Sequence, residues 1–429
     1  MAYLVLEDGA VFLGDAFGAD GVRSGQIVFN TSMTGYQEIL TDPANFGNIV
    51  TMTYPEIGNA GVNAADSQSD KPQISGLVIR QLSPIMSNFR SEQTLEEYLK
   101  ANGVVAIKNV DTRAIAKRLR EFGSMYGVIA CGERLSVSDL VKQAQRAAVI
   151  ARGGDPDCSA EHCGDENCKC AQDGRQCHHD EDCECDCDDD CDCECGCHGG
   201  MNFEAYPNLI AEVSCKEPYK WTQKSAWIDE RQTEKRYNVV VLDLGVRRDQ
   251  LQTLVSFGCD VTVVPYSTTA EEILALNPDG VFISNGPGAP WVGGIIDNTV
   301  EKLALSVPVL AIGIGFLMLG MSQGINPCIL RHGQHGVNIP VQDVNTKLVS
   351  IVSKNVDYGL DGDDLNETAE EHPLLKNVVV THVNLNIPDV VEGFRHKNLP
   401  IIGVSWNPTA PTRPQDARCV YDDFIDLMK

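Results

Sequence analysis

The sequence is poor in basic residues, in long apolar runs and in paired Cys-x-x-Cys knuckles. Only 34 Lys and Arg stand against 60 Asp and Glu, a formal charge of −26. A surface so short of cations does not neutralise a phosphate backbone, which argues against nucleic acid as a partner. No apolar run approaches the roughly 20 residues that span a bilayer. The opening Met-Ala-Tyr-Leu-Val-Leu-Glu-Asp-Gly has neither a basic segment nor a long apolar one, so neither a signal peptide nor a membrane anchor is expected. The expected location is cytoplasmic. The missing knuckles argue against a zinc ribbon, despite 17 cysteines. No phosphate-cradling pattern is present either, so no ATP site is expected on this chain.

What is there divides unevenly. A length of 429 residues suits two or three domains. Residues 155–198 hold 16 acids against Lys169 and Arg175, and 12 of the 17 cysteines lie between Cys158 and Cys197. The rest of the chain is ordinary. Residues 1–150 read as mixed α/β, with strands at Tyr3–Leu6, Gln26–Phe29, Ile49–Met52 and Gly76–Ile79. Helical spacing marks Leu95–Leu99, Thr112–Phe122 and Val137–Ala148. Residues 151–200 have almost no large apolar side chains and read as an insertion without a core of its own. Residues 201–236 read as a polar connector. From Tyr237 to Ile312 continuous apolar strands alternate with helical patterns, which predicts a doubly wound sheet over residues 237–429.

The string from Phe29 to Pro43, Asn-Thr-Ser-Met-Thr-Gly-Tyr-Gln-Glu-Ile-Leu-Thr-Asp at its centre, resembles the carbamoyl-phosphate synthetase small subunit. Tyr54–Asn59, Ser87–Arg90, Asp111–Arg113, Ser284–Gly288, Gly333–Val341 and Thr381–Asn386 continue the resemblance. It implies an N-terminal small-subunit domain followed by a class I glutamine amidotransferase domain. It also implies a large, ATP-using synthetase subunit as partner.

The same resemblance exposes what is missing. The family carries its nucleophilic cysteine in a Gly-Ile-Cys-Leu-Gly-His-Gln elbow, and a His-Pro-Glu pattern supplies the base and the acid that orients it. Amide hydrolysis needs all three. Here Gly313 stands at the nucleophile's position, and Phe316 and Leu317 replace the following His-Gln. Asn407 and Thr409 stand for the base and the acid. Gly286 and Gly288 remain from the oxyanion turn, but Ala289 follows where the family has Asp. Asn355-Val356-Asp357-Tyr358 replaces Asn-His-Gly-Phe. These departures agree with one another, and no glutaminase activity is expected. Cys259 and Cys328 lack the strand-elbow-helix setting of a nucleophile and read as structural thiols. His332 and His335 read as structural, and His372, His382 and His396 form no constellation.

The insert offers a different chemistry. Cys158, Cys163, Cys168, Cys170, Cys177, Cys183, Cys185, Cys187, Cys191, Cys193, Cys195 and Cys197 are mostly one residue apart, with His178, His179 and His198 among them. Reduced thiols at that density resemble metallothionein-like segments and suit Zn(II) or Cu(I). A solvated acidic insert and a disulfide-bonded module are the alternatives. Three functions follow from the sequence. The first is a non-catalytic small subunit that supports ammonia-dependent synthesis. The second is a metal-binding or metal-sensing protein on an enzyme scaffold. The third is a glutaminase with an unrecognised nucleophile.

Overall fold

The computed structural model describes residues 2–132, 135–154, 206–226, 236–295, 299–362, 375–409 and 419–429. The first half is built on β1 (Ala2–Leu6), β2 (Val11–Ala16), β3 (Gly21–Asn30), β4 (Ile49–Met52), β5 (Gly76–Val78), β6 (Val105–Lys108) and β7 (Met125–Cys131). These strands close a barrel in the order β1-β2-β6-β5-β4-β3-β7. Strands β3 to β6 pair in parallel, β4 and β5 lying between them. Helices α1 (Tyr36–Thr41) and α2 (Leu95–Ala101) make crossovers between parallel strands. Helix α3 (Thr112–Phe122) leads from β6 to β7, and α4 (Val137–Ala151) follows β7.

Alternation along each strand explains the packing. Ile27 and Phe29 of β3 join one apolar cluster, while Val28 between them joins the other. The period of two sends neighbours to opposite faces. Helix α3 packs on the first cluster through Ile115 and Leu119, and α1 and α2 on the second through Leu40 and Leu99.

The second half is a ten-stranded sheet. Its strands are β8 (Tyr219–Trp221), β9 (Tyr237–Asp243), β10 (Cys259–Pro265), β11 (Gly280–Ile283), β12 (Val309–Ile312), β13 (Pro327–Asp343), β14 (Val349–Asp361), β15 (Val378–Asn384), β16 (Val390–His396) and β17 (Ile401–Val404). The order is β8-β10-β9-β11-β12-β17-β16-β14-β13-β15. Strands β9 to β12 and β17 are parallel, and β9, β11, β12 and β17 have both faces buried. Val240 and Leu242 of β9 enter one core, Val239 and Val241 the other. Helices α5 (Arg248–Ser256) and α6 (Ala270–Ala275) cross over between parallel strands, α7 (Ile314–Ser322) follows β12, and α8 (Cys419–Leu427) follows β17.

Part of the stretch read as a connector belongs to this sheet, because β8 pairs antiparallel with β10. The hairpin β13–β14 reaches across to the barrel. Gln26 donates to Asp357 Oδ1 (2.9 Å), Thr31 to Asn338 Oδ1 (2.7 Å), and the Ser124 N–H to the Arg331 carbonyl (2.8 Å). Elsewhere Arg247 joins the halves through a buried pair with Asp42 at 2.6 Å. Among the described residues no helix is long and apolar enough to cross a membrane.

Candidate active site

Strand β12 ends at Ile312, the chain turns at Gly313, and α7 begins at Ile314. Gly313 takes φ 60 and ψ −119. That region strains any residue with a Cβ and leaves glycine free. The space beside Gly313 is taken. Asn285, two residues past β11, turns its carboxamide under the elbow, and its Oδ1 accepts the Ile314 N–H at 2.9 Å. A Cβ added to Gly313 would overlap this carboxamide. In elbow hydrolases the N–H after the nucleophile holds the developing oxyanion. Here that donor is already engaged by the chain itself.

Gly286 and Gly288 form the neighbouring turn. Gly286 lies so close to the Leu244 carbonyl that a Cβ would collide with it. Together with Ala44, Ile314, Leu317 and Tyr358 these glycines line a cavity of ≈ 20 Å³, room for about one water. Trp291 meets Tyr358 edge-on at 5.0 Å and Tyr206 at 5.4 Å. This aromatic group packs with Ala289 and Val292 in one apolar cluster just past the turn.

Asn407 reaches the elbow region through the sheet. Ile312 of β12 lies opposite Val404 of β17, and the Gly313 N–H donates to the Val404 carbonyl at 3.0 Å. Asn407 follows three residues later. Its Oδ1 accepts the Thr409 hydroxyl (2.6 Å) and N–H (3.2 Å), while its Nδ2 finds no partner among the described residues. A carboxamide cannot take a proton near neutral pH, and a hydroxyl cannot orient an imidazole as a carboxylate does. The buried Cys259 begins β10, away from the elbow, and burial pushes its thiol up to about 12. Burial also raises the Cys328 thiol. Attack requires thiolate, so both are poor nucleophiles.

Two arrangements went unseen in the sequence. One is the Asn285 carboxamide under the elbow. The other is His335, buried with Nδ1 at 2.6 Å from Asn355 Oδ1 and Nε2 at 3.1 Å from Asp357 Oδ1. Burial works against its charge, but Asp357 and the two hydrogen bonds outweigh it and raise its pKa. The replacement of the family's Gly by Asp357 was a visible signal. Its partner lies across a hairpin, beyond the reach of spacing.

Comparisons with known proteins place this geometry. Residues 4–129 match the family model for the carbamoyl-phosphate synthase small chain, CPSase domain, and residues 240–427 match that for glutamine amidotransferase class-I. The chain is 38% identical to the carbamoyl phosphate synthase small chain of Syntrophotalea carbinolica, across 100% of this chain and 98% of that one. It is 37% identical to that of Vibrio parahaemolyticus over 100% and 98%. With the chloroplastic small chain of Oryza sativa it shares 35% over 100% and 82%. The chain belongs to the carbamoyl-phosphate synthase small-chain family. As a member of it, this small chain carries Gly313 at its elbow and the pair Asn407 and Thr409 beyond β17. Its cysteine-rich candidates, Cys158 to His198, lie outside the described residues, as does His372. Among the described residues no three His, Cys, Asp or Glu side chains gather as a metal-holding group.

Proposed function

We propose that this small chain is a non-catalytic partner of a large synthase subunit in the cytoplasm, supporting carbamoyl phosphate formation from ammonia instead of glutamine. One observation carries the reading: the elbow bears Gly313, and the space of the missing side chain is filled by Asn285. Loss of a nucleophile alone forfeits nearly the whole effect of a catalytic unit, on the order of 10⁶ in rate. The ≈ 20 Å³ cavity beside the turn supports it, being too small for an amino acid. A partner surface is also at hand on the barrel half. Phe89 is 98% exposed and Ile85 69%, with Met86 and Tyr54 also exposed. The loop that carries the first three is tied beside residues 57–59 by backbone hydrogen bonds from Ser83 and Ser87. Exposed apolar groups of this kind mark association sites.

The test is co-purification with the large subunit, followed by assays with each nitrogen source. Carbamoyl phosphate is expected with ammonia and not with glutamine, and no glutamate is released. Glutamate release by the purified complex would sink the proposal.

A second role rests on the 12 cysteines between Cys158 and Cys197. Dense thiolates favour Zn(II) or Cu(I). Metal analysis of the recovered complex is expected to give a fixed stoichiometry that disappears when residues 155–198 are deleted. Equal metal content in both forms would remove this role.

A further inference from the structure

A second cavity, of ≈ 200 Å³, lies between the two halves and apart from the elbow. The barrel side supplies Phe29 and Thr31 from the end of β3 and Arg120 from the last turn of α3. The sheet side supplies His332 and Asn338 from β13, with Ile339 and Ile387 as apolar wall. Among the described residues no Asp or Glu lines it, in a chain whose formal charge is −26. Arg120 makes no ion pair among the described residues. Its guanidinium lies over the Phe29 ring at 5.3 Å, and His332 stacks on the same ring at 5.9 Å. His332 Nδ1 is shielded from water and finds no hydrogen-bond partner among the described residues. The Thr31 hydroxyl donates to Asn338 Oδ1, which fixes the orientation of that amide and leaves its N–H₂ for a ligand.

We propose that this cavity binds a small organic oxyanion, a carboxylate or a phosphate ester. Its oxygens meet Arg120, His332 and the Asn338 amide, and its carbon chain lies against Ile339 and Ile387. Sites at junctions between domains commonly combine a few convergent polar groups with apolar walls in this way. Because the walls come from both halves, an occupant ties the halves together. Burial and the nearby Arg120 hold the His332 pKa below its ordinary value. A bound anion favours the charged ring by direct attraction, which raises that pKa.

The full chain is titrated at constant ionic strength with succinate and, separately, with inorganic phosphate, using chloride as the control. Heat of binding and the His332 ring resonance, assigned through His332→Gln, are followed together. One of the two anions is expected to saturate and to move the His332 titration upward. Arg120→Gln, at an exposed position, is expected to weaken that binding at least about ten-fold, the effect of losing a charged hydrogen-bond donor. Saturation by succinate alone assigns a carboxylate, and by phosphate alone a phosphoryl group. Saturation by neither, or binding that Arg120→Gln leaves unchanged, overturns the proposal.

Discussion

At Gly313 the family's chemistry and the backbone's geometry come apart. The turn keeps φ 60, a conformation that a side chain makes unfavourable by about 1–3 kcal/mol. A working nucleophile would bear that strain, and glycine does not. Restoring sulfur by Gly313→Cys therefore adds strain and a collision with Asn285. The expected outcome is a lower urea midpoint, a loss of about 1–3 kcal/mol, with glutamate release no higher than in the parent chain. Adding Asn285→Gly removes the collision and recovers part of the stability. Glutamate release stays at background, because Asn407 still cannot act as a base. The three degenerate positions were legible because they interrupt fixed motif strings. Asn285 was not, since its string, Ser284 to Gly288, looks undisturbed, and only the fold brings it beneath Gly313.

Among the elements, the parallel strands were the easiest to read and the antiparallel ones the hardest. Strands β9, β11 and β12 are buried on both faces, so they appear as continuous apolar runs bounded by turns. Strands β13 and β14 mix exposed and buried positions, and register shifts between Ile329 and Gln334 and between Gly336 and Ile339 break their alternation. No simple period survives that. This hairpin nonetheless carries His335, which is linked through Asp357 to Gln26 on the barrel. His335 holds its proton more tightly when folded, since its pKa is raised there. Its contribution is therefore complete below the ordinary value of about 6.5 and fades as pH rises through the folded value. The stability lost in His335→Gln is expected to be largest in mild acid and to shrink on the alkaline side. Urea unfolding of both proteins across that range measures it. A gap that stayed constant with pH would mean that folding leaves the imidazole's affinity for its proton unchanged, and would overturn this reading.

For the whole molecule, the sequence conveyed two folded halves but not how the first one closes. The strand order that makes a barrel depends on β2 meeting β6, residues far apart in the chain, and local patterning carries no trace of that. Nor did it convey the join. Arg247, paired with Asp42 of the other half and with Asp249, is almost wholly buried. Removing one member of a buried pair leaves its partner's charge uncompensated, typically a loss of about 3–5 kcal/mol. Arg247→Met is expected to cost that much in chemical denaturation, and Asp42→Asn added to it to return part of the loss. Equal values for the single and double variants would overturn the reading that Asp42 is left as an uncompensated charge. The carboxamide beneath the elbow also bears on ancestry. A protein that has merely shed a reactive atom is one codon from its past. Here the Asn285 carboxamide stands where a Cβ on residue 313 would go, so a side chain fits there only if that carboxamide moves. A reactive side chain at this turn therefore takes two coordinated substitutions, not one.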